Sequence, residues 1–275
     1  MERNEYDVNL RYGVDSRMSL AGKVAVITGG LGGIAMAANR LLLEKGARLV
    51  LMYPAFEQDK AAAALRELGD EQVFCQVCDV TEPDSVAAAF NAAERRFGRL
   101  DILVNCAGIG PSMRILGKKG PHDLGLYAKI IQVNLIGSFN VLTLAAEKIS
   151  QTEALEHGAR GVIINTASIA AFDGQAGQAA YAASKAGIVG MTLPIARDLM
   201  GDGIRVNTIL PGLFDTPLLA TAPQPVLDAL AASVPFPRRL GKPAEYAALA
   251  LCMIETAYFN GEKVRLDGAT RMAAR

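Results

Sequence analysis

The stretch K23-V-A-V-I-T28-G29-G30-L31-G32-G33-I34-A35, continuing as M36-A-A-N-R-L-L-L-E-K45, changes its hydrophobic period at one point. Lys23–Thr28 is a continuous apolar run, the pattern of a strand buried on both faces. Gly32–Lys45 reads as a helix. Between them Thr28, Gly29, Gly33 and Ile34 form or border a glycine-rich turn. Glycine lets the backbone turn tightly and approach a ligand, and the helix N-terminus presents unpaired N–H groups at the positive end of its dipole. The arrangement suits a pyrophosphate, and an ordinary strand-to-helix turn would also use one or two glycines.

The same alternation runs outward along the chain. Further strand-like runs lie at Ala47–Met52, Gln72–Val77, Asp101–Asn105, Gly161–Thr166, Ile204–Leu210 and Lys263–Leu266. Helix-like segments cover Glu57–Leu68, Pro83–Phe97, Leu124–Ser150, Ala179–Met200 and Pro243–Ile254. This predicts one α/β domain, a doubly wound parallel sheet of about seven strands with helices on both faces and right-handed crossovers. Asp79-Val80 follows the third strand, and Asn105-Cys106-Ala107-Gly108 follows the fourth. Both stand at C-terminal strand ends, where open α/β sheets bind ligands.

The 275 residues are 51% hydrophobic and 20% charged, with 28 charges of each sign. The balance describes a globular chain without a basic face for nucleic acid. No apolar run is expected to approach the ~20 residues of a membrane span, and the start lacks the apolar core of a secretory signal. A cytoplasmic protein with no membrane partner is expected. Cys75 and Cys78 form a C-x-x-C, but on a strand residues three apart point to opposite faces, which opposes chelation. No metal site is expected. Cys106 and Cys252 read as further thiols, and His122 and His157 as solvated residues of connecting stretches.

S168-I-A-A-F-D-G-Q-A-G-Q-A-A-Y181-A-A-S-K185 carries the chemistry. Tyr181 and Lys185 are four apart in an Ala-rich segment, so a helix places both on one face. An ammonium beside a phenol favours the phenolate and brings it toward the working range of a general acid or base. Ser168 is placed to hydrogen-bond a substrate oxygen. A lone Y-x-x-x-K equally describes a surface Tyr and a solvated Lys.

From Leu20 onward the chain resembles the short-chain dehydrogenase/reductase family. Thr28, Gly29 and Gly33 match its T-G-x-x-x-G-x-G, with Ala35 at the last glycine, and Asn105, Ala107 and Gly108 match its N-x-A-G. Asn134, Ser168, Tyr181 and Lys185 fall on its catalytic tetrad, and Pro211, Gly212 and Thr216 on the segment flanking nicotinamide. R-G-V-I-I-N-T-A-S, P-G-L-F-D-T-P-L-L and N-G-E-K-V-R-L-D-G-A are similar to the branch with type II 3-hydroxyacyl-CoA and hydroxysteroid dehydrogenases. The resemblance implies a Rossmann-like fold and hydride transfer between a nicotinamide cofactor and a secondary alcohol or ketone. It implies that Tyr181 takes the hydroxyl proton, Lys185 stabilises the phenolate and meets the nicotinamide ribose, Ser168 orients the substrate, and Asn134 positions a water. By its residues alone, Asn134 could also cap or bend its helix.

Two departures bear on the cofactor. Tyr53 stands where NAD-preferring relatives carry an acid for the adenosine ribose, and no Arg or Lys there or in the glycine turn meets a 2′-phosphate. NAD is favoured, with NADP an alternative, because a buried dianionic phosphate without a cation is the larger penalty. Ala35 satisfies the demand for close helix-to-strand packing. The alternative functions are an NADPH-dependent 3-oxoacyl reductase and a redox-inactive partner subunit. Residues 1–18 read as an N-terminal extension and 19–275 as the domain, with a substrate lid around 213–237. Its apolar composition suits an acyl or ring-bearing substrate or a subunit contact, and Lys118, Lys119, Arg238 and Arg239 are candidates for CoA phosphates. The resemblance implies a homotetramer through the long helices, with a hetero-oligomer as the alternative.

Overall fold

The computed structural model describes residues 18–118, 120–217 and 223–274. The first half contains β1 (Val24–Thr28), α1 (Gly33–Glu44), β2 (Arg48–Tyr53), α2 (Gln58–Leu68), β3 (Val73–Val77), α3 (Pro83–Phe97) and β4 (Ile102–Asn105). A small antiparallel pair, β5 (Leu116–Gly117) and β6 (Gly120–Pro121), leads into α4 (Leu124–Ile131). A π-helical turn, Gln132–Ile136, joins α4 to α5 (Gly137–Ser150). Then come β7 (Gly161–Thr166), α6 (Ala170–Asp173), α7 (Ala179–Asp198), β8 (Ile204–Pro211), α8 (Gln224–Ser233), α9 (Pro243–Glu255) and β9 (Lys263–Leu266).

The large sheet has seven parallel strands in the order β3-β2-β1-β4-β7-β8-β9, the Rossmann-like architecture expected from the alternation. Side-chain alternation sorts its core into two layers. Ile27, Leu49, Leu51 and Ile102 pack with Ala35, Ala38 and Leu42 of α1 and Tyr246, Ala250 and Ile254 of α9. Val26, Val50 and Leu103 face the other way, onto Val86 and Phe90 of α3, Val141 and Ala145 of α5 and Ile195 of α7. Fully burying each such aliphatic side chain contributes about 1.5–3 kcal/mol. Ala35 is buried against the sheet, as close helix-to-strand packing requires. Cys75 belongs to the first layer and Cys78 to the second, so the two thiols face opposite sides. Burial pushes both up to about 11.

The element pattern differs from the sequence expectation in two places. α8 forms inside the segment read as a lid, and it buries none of its side chains, so no apolar stripe announces it. The Leu124–Ser150 helix is interrupted by the π-turn. It is also long and apolar enough, by length and composition, to cross a membrane, which corrects the expectation that no run reaches that length. In the fold its Val141, Leu142, Ala145 and Ile149 are core residues packed on the sheet. Residues 1–17 of the expected extension, Lys119 and residues 218–222 of the expected lid lie outside the described residues; Met18 N–H donates to the Glu255 carbonyl at 3.2 Å.

The N-terminal edge of the sheet holds a buried carboxylate. Asp101 accepts from Val24 N–H at 2.9 Å and from Arg99 Nε at 2.9 Å, and Lys23 Nζ lies 3.2 Å from its other oxygen.

Candidate active site

The strand order reverses between β1 and β4, so their C-terminal ends diverge into a crevice. Thr28, Asn105 and Asn165 are in register across β1, β4 and β7 there. Thr28 Oγ1 donates to Asn105 Oδ1 at 3.1 Å, and Asn105 Nδ2 donates to Asn165 Oδ1 at 3.1 Å and the Ser138 carbonyl at 3.2 Å. Thr28 Oγ1 also accepts from the N–H groups of Cys106 and Ala107 at 3.1 and 3.2 Å. Thr28 and Asn105 are therefore buried shapers of the crevice floor.

A cleft of about 710 Å³ opens above this floor, from Gly29 and Gly32 past Tyr53, Asp79 and Val80 to Ala107, Gly108 and Ile109. Gly29 has φ +57°, and a Cβ there would stand 3.0 Å from the Ala107 backbone. Only glycine meets both demands without strain. The α1 N-terminus, with Gly32 as cap, has no side-chain cap and no acid in its first turn. Its first N–H groups and dipole are thus open to an anion, with Ile34 in that turn. Pro217 lies over Gly33, where a Cβ would meet its Cδ at 2.5 Å and the Thr216 Cβ at 3.5 Å, so the chain after β8 reaches back to the glycine turn. Pro211 accepts from Ile169 N–H at 3.1 Å, and Gly212 N–H donates to Leu266 at 2.9 Å. These features, a cradle that tolerates no side chain beside an uncapped helix start, fit a dinucleotide.

Tyr53 is 3% exposed and lines the cleft from below, its hydroxyl donating to Gln58 Oε1 at 2.8 Å. Burial raises its pKa. Asp79 is exposed, with Oδ1 accepting from Thr81 N–H at 2.9 Å and Thr81 Oγ1 at 2.7 Å. Sequence reasoning missed two charged residues in the same cleft, Glu57 and Lys129. Glu57 follows β2 by four residues and is paired with Lys60. The signal was an acid just downstream of the expected position; Lys129 sits on a helix remote in sequence and gave none.

The four candidate catalytic residues come together where the cleft ends. α7 carries Tyr181 and Lys185 on one face, with Lys185 Nζ 5.7 Å from the phenol ring centroid. A Cβ on Gly110 would lie 3.5 Å from the Tyr181 ring, and one on Gly108 would lie 3.3 Å from Asn134 Oδ1 and 3.5 Å from Lys185 Nζ. Asn134, in the π-turn, clamps the Ile109 backbone: Oδ1 accepts its N–H at 2.8 Å and Nδ2 donates to its carbonyl at 2.9 Å. Nδ2 also donates to Ser184 Oγ at 3.0 Å, and Ser184 donates to the Tyr181 carbonyl at 2.7 Å. Ser184 is a joint that sequence reasoning passed over although it precedes Lys185. Ser168 Oγ accepts from Ala170 N–H at 3.1 Å at the start of α6, and its hydroxyl is near enough to Tyr181 to lower the phenol against the effect of burial.

The electrostatics differ from the simple picture of an ammonium acidifying a phenol. Lys185 is 5% exposed, and Nζ donates to the Thr166 carbonyl at 2.9 Å. Burial without a carboxylate pulls it down to about 8, against a small upward pull from Cys106. Burial raises Tyr181, and its hydrogen bond with Ser168 opposes that rise. The ammonium lies over the ring and is engaged by a carbonyl, so in the protein alone it does not bring the phenol down. Beneath it, Thr166 Oγ1 and Tyr246 OH share a 2.7 Å hydrogen bond, with Cys106 Sγ 3.5 and 3.6 Å away.

Among the basic residues considered for phosphate, Arg239 is engaged by Glu245 in a fork with both contacts at 2.8 Å, while Lys118 and Arg238 are exposed. His122 Nδ1 pairs with the Asp123 carbonyl at 2.8 Å, and His157 is exposed.

Comparison with known proteins agrees with this geometry. The profile of the short chain dehydrogenase family matches residues 23–226. The chain is 52% identical over 256 residues to 3-hydroxyacyl-CoA dehydrogenase type-2 of Bos taurus, covering 92% of this chain and 97% of the relative. It is 37% identical over 255 residues to cis-4-hydroxycyclohexanecarboxylate dehydrogenase of Sinomonas cyclohexanicum, covering 91% and 97%. The crystal structure of 3-hydroxyacyl-CoA dehydrogenase type-2 from Mycobacterium avium superposes with a TM-score of 0.87 at 42% identity, covering 92% of this chain and 98% of that one. With this match, the chain belongs to the short-chain dehydrogenase family and is a nicotinamide-dependent oxidoreductase.

Proposed function

We propose that the protein is an NAD-dependent dehydrogenase of a secondary alcohol of the 3-hydroxyacyl-CoA kind. The observation that carries this reading is the convergence of Tyr181, Lys185, Ser168 and the Asn134-clamped Ile109 at the end of the cleft. Relatives named 3-hydroxyacyl-CoA dehydrogenase type-2 support the substrate class. So do the exposed apolar side chains of Phe172, just after Ser168, and Phe236 in the segment after β8.

In oxidation, Ser168 holds the substrate oxygen, Lys185 steadies Tyr181 as the phenolate, and that phenolate takes the hydroxyl proton and becomes the neutral phenol as the hydride leaves. Bound nicotinamide supplies the hydride acceptor that no side chain provides. Thr28 and Asn105 fix the floor, Gly29, Gly33 and Ile34 with the α1 N-terminus would hold the pyrophosphate, and Tyr53, Asp79 and Val80 would border the adenosine. Ala107 and Gly108 would lie along the nicotinamide ribose with Lys185, and Pro211, Gly212 and Thr216 beside the nicotinamide. Glu57 favours NAD: its carboxylate in the cleft supplies the acceptor that Tyr53 does not. Lys129 in the same cleft favours the second reading, an NADPH-dependent 3-oxoacyl reductase.

Titration with both nucleotides, followed by turnover of a short 3-hydroxyacyl-CoA, tests the reading. Tighter NAD binding and NAD-linked oxidation are expected, and Glu57→Gln should narrow the preference several-fold. Exclusive NADPH-linked reduction would establish the second reading. The proposed assembly is a cytoplasmic homotetramer through α5 and α7, supported by a groove between them that includes Phe139, Leu142 and Ile195. Light scattering would report its mass.

A further inference from the structure

The connection between α6 and α7 separates Ser168 from Tyr181, and so governs how these two side chains meet. It is held on both edges. On its inner edge, Gly177 has φ +93°, its carbonyl accepts from Met113 N–H at 2.9 Å, and a Cβ there would stand 3.1 Å from Ser112 Oγ. Ser112 and Met113 follow Gly110, which lies against the Tyr181 ring.

On its outer edge lies the segment after β9. Gln175 Nε2 donates to the Ala273 carbonyl at 3.0 Å, and Ala176 N–H donates to the Ala274 carbonyl at 3.0 Å. The Asp173 carboxylate is paired with Arg265, which holds its carboxyl below the usual range. Arg265 also binds Asp267 at 2.7 Å and the Thr270 carbonyl at 2.8 Å, fixing the root of the segment. Residues 272–274 thus run along 173–176 as a strap, and nothing in the proton chemistry above uses them.

We propose that residues 272–274 determine substrate specificity: by holding Asp173–Ala176 they press Gly177 against Ser112–Met113 and set the width of the substrate entrance beside Tyr181. The strap does not touch the glycine turn, so dinucleotide affinity is independent of it. The inference rests on the dehydrogenase reading for what passes through that entrance, and on the hydrogen bonds alone for the position of the loop.

The test is the full-length enzyme against a form ending at Arg271, with Gln175→Ala as a milder variant that keeps the chain intact. The expected result for the shortened form is a KM raised about 5- to 10-fold, kcat and the dinucleotide Kd changed less than about twofold, and a flattened preference between short and long acyl chains. Amide exchange across Gly110–Ile115 should quicken. Gln175→Ala should raise KM about two- to threefold with faster exchange over the same residues. Unchanged KM and exchange in both variants would overturn the proposal, as would a fall in kcat and dinucleotide affinity at constant KM. If the parent enzyme oxidises no secondary alcohol, the dehydrogenase reading fails, while faster exchange in the variants still supports the strap.

Discussion

The two edges of the sheet treat a buried charge in opposite ways. At the N-terminal edge Asp101 is surrounded by Arg99, Lys23 and the Val24 N–H, and Arg99 is raised above its ordinary value by the pair. At the C-terminal edge Lys185 is equally enclosed, but among the described residues it meets a backbone carbonyl and the Tyr181 ring rather than a carboxylate, and it falls to about 8. The first edge satisfies its charge and stabilises the fold. The second leaves a cation short of partners beside a phenol, a configuration that costs stability and is useful only when negative charge forms next to it.

The sharpest test of that contrast is Tyr181→Phe, which removes the proton acceptor alone. Turnover should fall about 10²- to 10⁴-fold while the dinucleotide Kd changes less than about twofold. Retained turnover would remove Tyr181 from its role. At the other edge, Asp101→Ala strands two cations and an amide, and unfolding by denaturant should show a loss of about 3 kcal/mol with an unchanged slope. A negligible loss would mean that Lys23 and Arg99 simply turn to water and the edge is not built on the carboxylate.

Lys185→Met should produce the opposite sign, losing turnover while gaining up to about 2–3 kcal/mol at neutral pH. The pH dependence follows from the lowered value. Between about 8 and 10.5 the unfolded chain keeps a proton that the folded chain has shed, so raising pH favours the fold. Stability of the parent should therefore climb relative to Lys185→Met through that window and run parallel to it below about 8. Parallel curves throughout would show that the ammonium is not strained by burial. Smallest of all, Thr28→Val should cost about 1–2 kcal/mol and weaken the dinucleotide a few-fold, because Ala107 N–H loses its acceptor and Asn105 Oδ1 its donor.

Much of this arrangement is written locally. The seven strands of the large sheet follow from apolar runs bounded by turn residues, and the Tyr181–Lys185 pairing follows from helical spacing. Glycine at 29 announces a tight approach because no other residue adopts that backbone so cheaply. What was not legible depends on distant partners. The hydrogen bonds of Asn134 reach Ile109 and Ser184, which lie on separate elements, so neither its clamp nor the π-turn has a period to read. The Lys185 environment depends on Thr166, nineteen positions away, and no spacing rule relates them. α8 escaped because an exposed helix shows no apolar stripe, and Glu57 because a carboxylate displaced by four residues no longer sits where a motif looks for it.

The widened turn at Gln132–Ile136 holds one more residue than a regular helical turn would. It therefore takes up one surplus residue while the two halves of the rod stay in phase. Deleting the codon for Leu135 would let the rod become regular and re-aim the side chains of the turn itself rather than those of either half. With α5 anchored in the core, Asn134 would swing off the Ile109 backbone and release that end of the crevice. A single-residue indel at this point is thus a coarser lever on the enzyme than most point changes around it.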